Sequence, residues 1–152
     1  MVSLVREEII FDNIEVESGE KKEALQIISR LCAKQNGDSA GKLMESFWKR
    51  ELMDSTGFGG GIAIPHAIVE GLMSPIFAIV RFACPVEWGA IDGEPVDLVM
   101  VAVTPESMEE SRHLPMIAAL ARKLMNGEFV YRLRKCKNKN QLYACMLEEM
   151  GR

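Results

Sequence analysis

The sequence predicts an α/β layered domain, and three observations predict it. Helical and strand-like patterns alternate along the chain. The run Leu98-Val99-Met100-Val101-Ala102-Val103 is apolar at every position, as a central strand covered on both faces must be. No internal repeat, low-complexity tract or long linker divides the 152 residues, so a single domain spanning 1–152 is expected. A hydrophobic fraction of 48% is enough to build a core, which excludes a disordered chain.

The elements follow in order. Ile9, Ile10 and Phe11 predict a short first strand. Ser18-Gly19 precedes a helical pattern from about Glu20 to Lys34, with Ala24, Ile27, Ile28 and Leu31 as its buried stripe. Asn36, Gly37 and Asp38 break it, and a second helix is expected over Ser39–Met53 with Met44, Phe47, Trp48 and Leu52 inward. Ser55 to Gly61 is too rich in glycine and hydroxyl groups to be anything but a loop. Ile62–Ile64 is a short strand running into Pro65-His66. Ile76–Phe82 and Asp97–Val103 are buried strands, separated by a turn region from Glu87 to Pro95. Ser107 and Glu110 have capping-box spacing before a helix marked by Leu114, Ile117, Ala118, Ala121 and Leu124. Pro115 requires that helix to hold it in the first turn, which sets His113 at the helix start, where an anion is well received. Gly127 is expected to stop the helix, Phe129–Leu133 to start a short one, and Asn138 to open the last.

Composition excludes several functions. A net charge of -4 leaves no electrostatic footprint for nucleic acid, and the short basic cluster Arg132, Arg134, Lys135, Lys137 and Lys139 reads as a solvated face. The N-terminus carries Arg6, Glu7 and Glu8 and lacks the apolar core of a signal peptide. The most apolar stretch, Ile76 to Val86, is too short for a bilayer and contains Arg81. A soluble, cytoplasmic protein is expected. Cys32, Cys84, Cys136 and Cys145 form no C-x-x-C pair, so reduced thiols are expected. With only two histidines, a metal site is not expected.

The chemistry concentrates in Arg50 to Ala67, RELMDSTGFGGGIAIPHA. An imidazole titrates near neutrality, so His66 can accept a phosphoryl group and release it again. Pro65 fixes its own φ and biases Ile64 towards extended backbone, which aims the histidine. Positioning is most of what phosphoryl transfer asks of a protein. Ser55, Thr56 and Gly61, within the glycine-rich segment, are candidate phosphate-binding groups, because glycines let backbone N–H groups approach phosphate oxygens and hydroxyls add donors. The segment is no nucleotide loop: no G-K-[ST] follows, and Ile62 stands where G-x-G-x-x-G would need its last glycine. Arg50 and His113 are candidate donors to phosphoryl oxygens. Each feature alone has an ordinary structural explanation, a satisfied histidine, a turn, or an arginine at a helix C-terminus.

Taken together, Glu51, Phe58, Gly59 and Ile62-Ala63-Ile64-Pro65-His66-Ala67 resemble the phosphorylation-site signature of enzyme IIA of the fructose/mannitol class, a component of the sugar phosphotransferase system. Arg50-Glu51 followed by Ser55-Thr56-Gly57 is similar to the family's lead-in, VEWGAIDGEPVDL from Val86 to Leu98 resembles fructose-type members, and His113-Leu114 matches the family's second histidine. The resemblance implies a three-layer α/β/α sandwich around a mixed, mainly parallel sheet. It implies that phospho-HPr donates a phosphoryl group to His66, that the positions of Arg50 and His113 support the phosphohistidine, and that a cysteine of enzyme IIB receives the group before membrane enzyme IIC delivers sugar. It implies no metal or organic cofactor. Pro115 departs from the family pattern and bears on the orientation of His113. A nitrogen-regulatory enzyme IIA, which binds regulators, shares the phosphohistidine, and the segment from Trp88 to Pro95 points to the sugar branch. A binding module without phosphoryl chemistry and a hydrolase using His66 as general base are the readings from other classes.

Overall fold

The computed structural model describes the backbone of residues 7–37, 39–107 and 110–150, with the side chains of 7, 36, 110–113 and 116 left out. After a 3-10 turn at Glu7–Ile9 come β1 (Ile10–Ile14), α1 (Lys21–Asn36), α2 (Ala40–Met53), β2 (Gly57–Gly59), β3 (Ile62–Ala63), β4 (His66–Val69), β5 (Ile76–Val86), β6 (Val96–Pro105), α3 (Glu110–Leu124), α4 (Gly127–Lys135) and α5 (Lys139–Met150). The strands form one mixed sheet in the order β1-β5-β6-β3-β2, with β4 also paired to β6. The pairs β1–β5, β3–β6 and β4–β6 are parallel, and β5–β6 and β2–β3 are antiparallel.

The apolar run of the central strands explains the layering. Residues 76–80 of β5 and 98–105 of β6 are buried without alternation, so helices must cover both faces. α1 packs on α2 and β5, and α2 packs on β4. On the other side α5 packs on β1 and α4, and α4 packs on α3. Trp88, Phe47, Phe129, Leu25, Ile79, Leu98 and Met100 are among the largest fully buried side chains.

Local chemistry sets the helix ends. Gly37 at φ +72° takes the left-handed position that ends α1, and its N–H donates to the carbonyl of Ala33. The Ser39 side chain accepts from Lys42 N–H to start α2, and Asn126 accepts from the N–H groups of Glu128 and Phe129 to start α4. Asn138 accepts from Gln141 N–H before α5.

Several expectations change. Gly127 is the first residue of α4 and does not stop α3, which ends at Leu124. Pro115 is the sixth residue of α3, beyond the first turn, so the helix accommodates a missing N–H in its interior. His113 is accordingly the fourth residue of α3, not its opening one. The capping-box expectation at Ser107 rests on Glu110, whose side chain is outside the described residues. Strands β2 and β4 were not expected at all. The basic cluster is in part structural: Arg132 pairs with Glu148 and Glu149, and Arg134 pairs with Asp97.

Arg81, midway along β5, ties the sheet to the α4–α5 layer. Its Nε and Nη2 donate to the two Asp12 carboxylate oxygens at 2.6 and 2.8 Å, and its Nη1 donates to the carbonyls of Leu133 and Cys136 at 3.2 and 2.6 Å. The guanidinium holds the Asp12 carboxyl below its ordinary range. Arg81→Ala should therefore lower unfolding free energy by about 2–3 kcal/mol in urea titrations, because it leaves a half-buried carboxylate and two helix carbonyls without donors. The carboxylate's contribution is present above the ordinary carboxylate range and lost as pH falls through the depressed pKa of the folded state. Asp12→Asn should consequently flatten the acid limb of stability against pH below about pH 4, read by thermal melts.

Candidate functional site

β3 and β4 lie in one register against β6. Ile62 sits opposite Leu98 and Ala63 opposite Val99, then His66 opposite Ala102. They are one strand interrupted at Ile64-Pro65, and the interruption has a cause: proline has no N–H for the ladder. The two residues are secured differently. Ile64 N–H donates to the carbonyl of Thr56 at 3.0 Å, and the carbonyl of Pro65 accepts from Ala102 N–H at 3.1 Å.

His66 opens β4 directly after this break and is partly exposed. Its Nδ1 lies 2.9 Å from the carbonyl oxygen of Ile64. A carbonyl oxygen only accepts, so Nδ1 carries the proton, and the Nε2 lone pair faces the other way. Nε2 accepts from Arg50 Nε–H at 3.3 Å. Arg50 stands in the last turn of α2 and is held by a second bond, Nη1 to the carbonyl of Asp54 at 2.6 Å. The ring and guanidinium line a cleft of about 690 Å³ with Lys42, Lys49, Met53, Ile68, Glu70, Glu106 and Leu114 among its walls.

The structure thus brings Arg50 and His66 together. His113 belongs to α3, whose Leu114 lines the same cleft, but the His113 side chain is outside the described residues. Ser55, Thr56 and Gly61 are elsewhere, and none lines the cleft. The Ser55 hydroxyl donates to the carbonyl of Trp88 at 3.3 Å and accepts from Gly57 N–H at 3.0 Å. Thr56 is buried, and its hydroxyl donates to Glu51. Gly61, at φ +82°, faces the Arg134–Asp97 pair, where a Cβ would come within 2.6 Å of the guanidinium. Within the glycine-rich segment Gly57–Gly59 form β2, and Gly60-Gly61 turn the chain into β3 beside Arg134.

What sequence reasoning missed is the support beneath His66. Glu51 is buried, pairs with Lys21 at 3.0 Å, and accepts from Thr56 N–H. Trp88 is 1% exposed and donates its indole N–H to Thr56 Oγ1 at 3.1 Å. Glu51 adjoins Arg50 in the signature, which was the available signal. Met53 is 77% exposed on the cleft wall, while Phe58 lines a second cleft with Val130 and Tyr131, and Met73 is exposed in the turn after β4. Among the described residues no group of three or more His, Cys, Asp or Glu side chains could hold a metal ion, and no helix is long and apolar enough to cross a membrane.

A mixed sheet flanked by helices, with a histidine aimed from a broken edge strand at an arginine, defines an α/β domain of the enzyme IIA kind. The chain belongs to the family described as phosphoenolpyruvate-dependent sugar phosphotransferase system, EIIA 2, which matches residues 3–149. A nitrogen regulatory protein of Pseudomonas aeruginosa is 37% identical over 136 residues, 89% of this chain and 88% of that protein. A fructose-like EIIA component of the sugar system in Escherichia coli is 34% identical over 116 residues, 74% of this chain and 78% of that one. The crystal structure of nitrogen regulatory protein IIA-Ntr from Neisseria meningitidis superposes with a TM-score of 0.86 at 28% identity, covering 95% of this chain and 97% of that one. The fold extends to IIA mannitol of E. coli, with a TM-score of 0.75 at 18% identity and coverage of 91% and 96%.

These positions separate the residues by effect. Arg50→Ala should slow phosphoryl acceptance by roughly 10²-fold in single-turnover assays, as loss of a preorganised donor does. Ser55→Ala, a change outside the cleft, should leave the rate within about twofold, a surface-sized effect of under 0.5 kcal/mol.

Proposed function

We propose that this protein is a phosphohistidine carrier: His66 Nε2 accepts a phosphoryl group from phospho-HPr and passes it on. The observation that carries the reading is the pair of contacts on the His66 ring, Nδ1–H to the Ile64 carbonyl and Nε2 towards Arg50. Nε2 attacks phosphorus as the P–N bond to the donor histidine breaks, and the donor ring leaves with its electron pair. Attack places positive charge on the His66 ring, and the Ile64 carbonyl, accepting from Nδ1–H, stabilises that charge. Arg50 Nε–H loses its acceptor on the ring when the N–P bond forms and turns to a phosphoryl oxygen. A ring protonated at Nδ1 is also the better leaving group, which suits onward transfer.

Two destinations for the phosphoryl group have support. A regulatory role, in which phosphorylation controls binding to other proteins, is favoured by the nitrogen regulatory relatives of P. aeruginosa and N. meningitidis, matched over nearly their whole length. Transfer to a cysteine of enzyme IIB for sugar uptake is favoured by the fructose-like relative. The Trp88–Pro95 segment weighs less for the sugar branch than its sequence suggests. Trp88 bonds to Thr56, and Ala90 packs so closely on Gly57 that a Cβ there would approach within 2.7 Å. Those residues have a structural task whichever branch the protein serves.

Incubation with phospho-HPr should add one phosphoryl mass to the His66 peptide, with the N–P bond on Nε2 by 31P–15N coupling, and His66→Ala should abolish it. An unmodified His66 peptide would remove the carrier reading. Rapid loss of the label to an enzyme IIB would select transport, and retention of label with altered binding to a regulator would select the nitrogen-regulatory role.

A further inference from the structure

We propose that Glu51 is a positioning residue that sets the tautomer and aim of the His66 ring through Thr56 and Ile64. The consequence for transfer rests on the phosphocarrier reading, whereas the geometry stands without it.

The hydrogen bonds run without a gap from one element to the next. Trp88 Nε1–H donates to Thr56 Oγ1 at 3.1 Å, and an indole N–H can only donate. The threonine hydroxyl, receiving there, gives its hydrogen to Glu51 Oε1. The Glu51 carboxylate also accepts from Thr56 N–H, at 3.1 Å to Oε2, and is paired with Lys21 Nζ at 3.0 Å. Thr56 is thereby clamped through its side chain and its main-chain N–H together. Its carbonyl accepts from Ile64 N–H at 3.0 Å, and the carbonyl of Ile64 accepts from His66 Nδ1–H at 2.9 Å.

Ile64 lies in the break between β3 and β4, outside both strands. The Thr56 bond extends the β2–β3 hairpin across that break and anchors the Ala63–Ile64 peptide. The Ile64 carbonyl lies in the next peptide, and the extended backbone that Pro65 favours at Ile64 carries the restraint from the anchored N–H to that carbonyl. Glu51 has a reason to be buried at 6% exposure that core packing does not supply: a carboxylate out of water is costly, and among the described residues its donors are Thr56, on the path to His66, and Lys21. Helix geometry adds a coupling. Arg50 and Glu51 are neighbours in the last turn of α2, about 100° apart around the axis, so one reaches Nε2 directly while the other reaches Nδ1 through Thr56 and Ile64.

The test uses the full chain, uniformly 15N-labelled, with Thr56→Val, Thr56→Ser, Glu51→Gln and Trp88→Phe. Long-range 1H–15N spectra of the His66 ring report its tautomer without any phosphoryl donor, and single-turnover transfer from phospho-HPr gives rate and donor KM separately. The wild type should show the Nδ1-protonated form. Thr56→Val and Glu51→Gln should keep native circular dichroism, show mixed tautomers, and slow acceptance roughly tenfold at unchanged KM, the size expected when a group orienting a functional histidine is lost. Thr56→Ser, which keeps the hydroxyl, should restore both readouts, and Trp88→Phe should give a smaller shift of the same sign. Folded Thr56→Val with wild-type tautomer and rate would overturn the proposal. So would a Glu51→Gln effect confined to KM. Should Thr56→Val fail to fold, Trp88→Phe with an unshifted tautomer would overturn it on its own. A wild type that takes no phosphoryl group from phospho-HPr would sink the carrier reading alone, since the tautomer spectra decide positioning independently.

Discussion

The hydrogen bond from His66 Nδ1 to the carbonyl of Ile64, two residues earlier, determines what the cleft can do. It puts the proton on one nitrogen and leaves the lone pair of the other facing Arg50. Without it a neutral imidazole distributes its proton between both nitrogens and rotates about χ2. The bond exists because a strand is broken where it would otherwise continue. Ile62 and His66 keep the register to Leu98 and Ala102 that an unbroken strand would have, and proline between them interrupts the ladder. The Ile64 carbonyl serves the side chain two residues on, and the preceding peptide is secured through Ile64 N–H by Thr56.

That arrangement separates stability from chemistry. β5 and β6 carry the continuous apolar burial, and Phe47, Trp88 and Phe129 pack the layers on either side. The His66 ring stands on β4, which among the described residues pairs with β6 and lies off the main strand order. Trp88 joins the two: its ring is packed within the apolar interior beside Phe82, while its one polar atom reaches the Thr56 hydroxyl. A tryptophan is suited to this because its large apolar body fixes the position of a single donor.

The sequence was legible where periodicity is strong. α1 and α2 lie within two residues of their expected limits, because the Gly37 and Ser39 signals mark their ends, but the α2 stripe is rotated from the expected one: Leu52, expected inward, is 71% exposed, and Leu43, Phe47 and Glu51 are the buried residues. β6 was evident from its unbroken apolar run. β2 and β4 were not legible: three residues rich in glycine carry no period, and a four-residue edge strand beginning at histidine shows too few positions for alternation. Gly127 misled because glycine marks helix stops more often than starts, whereas here Asn126 caps a new helix one residue earlier. The approach of Arg50 to His66 became visible through the family signature, not through spacing. Thr56 shows the limit most clearly. The sequence reveals that a hydroxyl is available, but whether it faces an anion or a buried carboxylate depends on the turn that Glu51 and Trp88, 37 positions apart, impose together.

The family relationship shifts the question from chemistry to recognition. Under the proposed carrier reading, the ring and Arg50 would serve transport and regulation alike, since both need a phosphohistidine that forms and breaks readily. A carrier cannot bind its phosphoryl group too well. The 3.3 Å contact from Arg50 is long for a charge-assisted bond, and the cleft is open to solvent. What distinguishes partners must therefore lie around the cleft. Met53, Ile68 and Leu114 are exposed there, with Lys42 and Lys49 on one wall and Glu70 and Glu106 among the others. Exposed apolar side chains together with charges of both signs are the composition of a surface that receives a protein partner. These residues are distinct from Thr56 and Ile64, which hold the His66 ring from the other side.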